Sequence, residues 1–129
     1  MEPERGKMVV VQEDNGVLEA GLAVGTSAFI DINPQGSIPI RCRTAIRGWD
    51  VGEWILVDRP SVEMDAMLLD TMIRYSRPCT LRFMHEGTVW GFPSNFIDLV
   101  PERTRHVIRL AWPREWSHLH VRRFERAKT

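Results

Sequence analysis

Cys79-Thr80-Leu81-Arg82-Phe83-Met84-His85-Glu86-Gly87-Thr88-Val89-Trp90-Gly91-Phe92 is the stretch that decides the fold class. With Glu86-Gly87 as a two-residue turn, His85 faces Thr88, Phe83 faces Trp90 and Leu81 faces Phe92. On the other side Met84 faces Val89 and Arg82 faces Gly91. One register therefore gathers the large aromatic side chains on a single face, and a slip of one residue would scatter them. The hairpin predicts an antiparallel sheet with one buried face.

The same period of two recurs on the N-terminal side. Ala28, Ile30 and Ile32 alternate with Phe29 and Asp31, while Ile38, Ile40 and Cys42 alternate with Arg41 and Arg43. Such alternation belongs to strands with a wet outer face. Further short strands are expected over 8–11, 17–24, 54–58, 96–100 and 107–111. They are punctuated by Asn15-Gly16, by Asn33-Pro34-Gln35-Gly36, by the glycines of 46–54 and by Pro93-Ser94-Asn95. Only one segment has helical spacing: Met64, Met67, Leu68, Met72 and Ile73 recur every three or four residues and are expected to pack on the core. Seven to nine short strands with at most one helix predict a mostly β chain, a barrel or a sandwich with the helix over one opening.

At 129 residues the chain is long enough for one core and too short for two. Hydrophobic content of 43% and charged content of 26% exclude a disordered chain as the default. The net charge of zero gives no general attraction to nucleic acid or to a membrane. It is unevenly spread, however: residues 101–129 hold eight Lys/Arg against three Glu, and residues 1–100 hold nine against fourteen acids. Cys42 and Cys79 lack CxxC spacing and lie in strand-like segments, as buried free thiols do. No apolar run spans a bilayer, and Met-Glu-Pro-Glu-Arg-Gly-Lys does not lead into a signal peptide, so a cytoplasmic location is expected.

Catalytic chemistry finds little footing. No Gly-x-Ser-x-Gly is present, neither cysteine has a nearby histidine, and the serines fall in turns or caps, so no catalytic residue and no enzyme are expected. His118-x-His120 puts two imidazoles on one strand face, with Glu115 or His106 to complete a shell, but two histidines are too few and no metal site is expected. No glycine-rich loop opens a helix, which removes the phosphate-cradle motifs. What remains is the tail from Trp112 to Arg126, where Arg122, Arg123 and Arg126 cluster. A guanidinium can fork to a phosphate or to the edge of a guanine. On spacing alone, an anion site and a solvated basic end both stay open.

Three features in order resemble the N-terminal domain of the YcgR-type flagellar-brake proteins, the family that carries a c-di-GMP-binding PilZ domain. They are the hairpin from Leu81 through Gly87 to Ser94, the strand end Leu110-Ala111-Trp112-Pro113, and Arg122-Arg123-Phe124-Glu125-Arg126, which matches RxxxR as Arg122 and Arg126. Residues 20–126 are covered. The resemblance implies a split β-barrel of seven to nine short strands with one short helix over residues 1–111, then a basic interdomain-type linker over 112–129. It also implies that Arg122 and Arg126 contact c-di-GMP, with Arg123 as a supporting cation, and that the barrel contacts a protein partner such as a flagellar motor component. No cofactor is implied, and neither membrane nor nucleic acid is an expected partner. The family's Asp/Asn-x-Ser-x-x-Gly does not follow Arg126 here, so weak or no c-di-GMP binding by this polypeptide is expected. Two other classes stay open: a flavin-binding split-barrel oxidoreductase, and a small RNA-binding barrel stacking bases on Trp112, Trp116 and Phe124.

Overall fold

The computed structural model describes residues 8–12, 19, 21–33, 39–60, 66–102 and 106–120. Its strands are β1 (Met8–Gln12), β2 (Ser27–Ile32), β3 (Ile40–Asp50), β4 (Trp54–Asp58), β5 (Pro78–His85), β6 (Thr88–Pro101), β7 (His106–Ala111) and β8 (Glu115–His120). The helix α1 (Ala66–Arg74) lies between β4 and β5. All the pairings are antiparallel, and β6-β5-β2-β3-β4-β7 closes into a six-stranded barrel because β7 pairs back onto β6. The chain is a mostly β barrel, and α1 is the short helix described between its strands.

The central hairpin has the register its side chains demand: His85↔Thr88, Phe83↔Trp90 and Leu81↔Phe92, with Arg82↔Gly91 on the outer face. Glu86 and Gly87 take φ of 50° and 77°, the left-handed pair that a two-residue hairpin turn requires.

Two long strands close the ring. β3 pairs with β2 over residues 40–45 and with β4 over 46–50, and its register shifts between Ile46 and Gly48. β6 has a corresponding shift between Phe96 and Asp98. Bulges of this kind sharpen the local twist and let one strand turn a barrel corner. The glycine-punctuated 46–54 is thus the end of β3 and a tight turn. Inside the ring Ile30, Ile46, Ile55, Leu81, Ile108 and Leu110 are fully buried.

Three expectations change. Pro93 does not end a strand: β6 runs through it for 14 residues. Counting the alternation of pair types from the His85↔Thr88 closing pair, the Pro93 nitrogen points away from β5. It points to a gap in the opposite edge, where pairing with β8 stops at Gly91 and pairing with β7 begins at Phe96. No ladder hydrogen bond is lost, so proline is tolerated there. Secondly, the described part of the expected strand 17–24 is not extended: Glu19 is helical, Leu22 N–H donates to Glu19 and Thr26 N–H to Ala23, and Gly25 takes φ 93°. Thirdly, in α1 the buried residues are Leu69 and Met72, flanked by half-buried Leu68 and Ile73, while Met67 is 79% exposed. The helix is rotated relative to the expected stripe because two adjacent residues per turn, 68/69 and 72/73, form its apolar face.

The boundary expected after Ala111 is corrected as well. Trp112 to Arg114 form a bend, and β8 then pairs with Thr88–Gly91 of β6 and with the whole of β1. β7 and β8 follow one another along the same edge of β6. Trp116 is 2% exposed, so the first half of the proposed linker belongs to the barrel core. Burying a large aromatic there outweighs the polarity of its neighbours.

Candidate functional surface

Three places on the described structure gather aromatic and charged side chains. The first is the seam where β7 hands over to β8. Ser94, buried under it, donates from Oγ to the Ala111 carbonyl at 2.6 Å, which ties β6 to the end of β7 where the ladder is interrupted. Beside it lies a cleft of about 520 Å³ whose walls include Pro78, Pro93, Asn95, Trp112, Pro113 and Arg114. Arg114 and Glu115 are exposed at its margin. Trp112 is 9% exposed, so little of its ring is open to the cleft.

The second is the aromatic filling of the barrel beneath the central hairpin. Trp90 lies parallel to Phe83 with centroids 6.1 Å apart and stacks on Trp116 at 4.9 Å. The His118 ring packs against both indoles, 5.5 Å from Trp90 and 5.8 Å from Trp116. Gly21 lets the preceding turn close over this cluster: a Cβ there would stand 2.8 Å from Trp90 Cε2. Among the described residues the buried Nε1 atoms of Trp90 and Trp116 have no hydrogen-bond acceptor. With Trp116 and Trp112 in the core, neither can act as the base-stacking platform weighed from the sequence. His118 serves this packing. Among the described residues no group of three or more His, Cys, Asp or Glu could hold a metal ion. The His120 side chain lies outside the described residues.

The third is on the outside of β2, β3 and β5. Phe29 pairs across the sheet with Arg43 on one side and Arg82 on the other, and Asp31 pairs with Arg41. Asp31 accepts from Arg41 Nε at 2.7 Å and Nη2 at 3.1 Å, and from Arg82 Nε at 3.0 Å. The Arg41 hydrogen bonds, reinforced by Arg82 and opposed by partial burial, hold the Asp31 carboxyl below its ordinary pKa. The Arg41 and Arg43 guanidiniums both lie over the Phe29 ring, 5.4 and 5.8 Å from its centroid. On the opposite half of the barrel two bidentate pairs, Arg47–Asp58 and Arg109–Asp98, are balanced charge for charge.

The alternation along β2 and along β3 was readable separately, but only the pairing of these strands with each other and with β5 turns scattered arginines into one cluster. Arg122, Arg123 and Arg126, the residues expected to contact a ligand, lie outside the described residues. No helix among the described residues is long and apolar enough to cross a membrane. Compared with protein-family models and with curated proteins, the chain finds no match.

Proposed function

We propose that this chain is a non-enzymatic regulatory and interaction module of the YcgR/PilZ type, working in the cytoplasm in c-di-GMP control of motility or surface behaviour. The barrel provides the protein-contacting body, with a flagellar motor component as its partner, and Arg122 and Arg126, aided by Arg123, contact the guanines and phosphates of c-di-GMP.

The observation that carries this proposal is the anchoring of β8. Trp116 is locked between strands, and β8 pairs with β6 as far as His120, two positions before Arg122. The anchored strand gives the segment that carries Arg122 and Arg126 a fixed point of departure, and a fixed anchor lowers the entropy lost on gripping a ligand. A guanidinium fork suits both the O6/N7 edge of guanine and a phosphate. Two arginines alone make few contacts, so binding by this polypeptide is weak.

The test is calorimetric titration of c-di-GMP into the wild-type chain and into the Arg122→Ala, Arg126→Ala double variant. Weak binding that disappears in the variant supports the assignment. Equal binding by both proteins, or none by either, refutes it.

A further inference from the structure

The cluster on the outside of β2, β3 and β5 ties neighbouring strands together through Asp31, and its composition is also that of a contact surface. Phe29 is 36% exposed and Met84, on the same outer face of β5, is 55% exposed. Around them stand three guanidiniums, Arg41, Arg43 and Arg82, against the single carboxylate of Asp31. Aromatic residues, methionine and arginine are the types enriched where proteins meet.

The cluster is also built rather than merely exposed. Asp31 fixes Arg41 through two hydrogen bonds and Arg82 through one, so two of the cations are held in place before any partner arrives. Arg82 in turn lies along Gly91, where a Cβ would be 3.5 Å from its Nη1. The glycine leaves the neighbouring strand low beside the arginine, and Ser117 continues that low row onto β8. Cations fixed in advance forfeit little rotamer entropy on binding. Among the described residues Asp31 satisfies only part of their donors: Arg41 and Arg82 both have further N–H groups, and Arg43 lies over the Phe29 ring.

We infer that this face docks a protein segment rich in Asp and Glu with an apolar side chain to set against Phe29 and Met84. Charge complementarity selects the acidic character, since the cluster carries a surplus of two positive charges. The chain's own C-terminal residues do not match it: Arg122, Arg123, Arg126 and Lys128 against Glu125 have the same sign as the face. A single-stranded nucleic acid would meet the same charges, but it gains most of its affinity by stacking bases on open rings. Here the cluster offers one ring, Phe29, so successive bases have no second ring to stack on. The inference stands apart from the c-di-GMP proposal and holds whether or not Arg122 and Arg126 bind anything.

The experiment is fluorescence anisotropy with a short labelled peptide of Asp, Glu, Leu and Phe, titrated with the full chain at low and at physiological salt. The variants are Arg43→Glu and Phe29→Ala, with Arg74→Glu in the last turn of α1 as the control, each checked for an unchanged unfolding temperature. Binding that falls about tenfold with Arg43→Glu and severalfold with Phe29→Ala, but not with Arg74→Glu, supports the inference. No binding to the wild-type chain, or equal binding by all four proteins, overturns it. So does tighter, Arg43-dependent binding of a labelled oligothymidylate, which assigns the face to nucleic acid. A concentration-dependent dimer that Arg43→Glu abolishes overturns it in favour of a second copy of this chain.

Discussion

Replacing Trp116 with alanine separates a core strand from a solvated linker by a large margin. The side chain is 2% exposed and stacks on Trp90 at 4.9 Å. Removing a buried indole from water's reach contributes about 5 kcal/mol at the usual coefficient for apolar area. Part of this is offset, because the Trp116 Nε1 has no acceptor among the described residues and its desolvation costs about 1–3 kcal/mol. Alanine relieves that cost, so the expected loss is about 3 kcal/mol, the lower end of the range for buried aromatic truncations. For a chain of this length that lowers the unfolding temperature by roughly 10 °C, read by far-UV circular dichroism or calorimetry. Trp116→Phe keeps most of the ring and discards the orphaned N–H, so its cost stays within about 1 kcal/mol. A tryptophan on a solvated linker would change stability by less than about 0.5 kcal/mol. An alanine variant melting within about 2 °C of wild type would refute the packing of β8 against the barrel core.

Gly21→Ala sets a Cβ 2.8 Å from the Trp90 ring, which is walled in by Phe83 and Trp116, so a loss of about 1–3 kcal/mol is expected in chemical denaturation. Asp31 and Asp98 both have their pKa lowered, chiefly by hydrogen bonds from Arg41 and Arg109 respectively. The stability they confer is therefore present above the ordinary carboxylate pKa and is lost as the pH falls through their lowered values. Asp31→Asn should lower the melting temperature at pH 7, with the gap to wild type closing as the pH drops below about 4. The Cys79 thiol is pushed up to about 12 by burial alone, so a thiol reagent at pH 8 should label it only after denaturant is added. Rapid labelling of the native protein would show that its strand opens readily.

The sequence by itself determined the hairpin of β5 and β6, down to which residue faces which. A two-residue turn and a period of two leave one register that buries Leu81, Phe83, Trp90 and Phe92 together. It also determined the alternation of β2 and of β3, and through these the fold class. Long-range pairing was not legible, because a strand's own pattern says which face is buried and not which strand lies beside it. That is why Phe29, Asp31, Arg41, Arg43 and Arg82 came together as one cluster only in the folded chain. Pro93 misled for the same reason: whether a missing N–H interrupts a strand depends on what lies along that edge, and here β8 stops and β7 begins on either side of it. The segment from Trp112 to His120 combined charged residues with aromatics and read as a tail. Only the tertiary structure, by offering Trp116 a place beside Trp90 and a free length of β6 to pair with, decided that it is a strand.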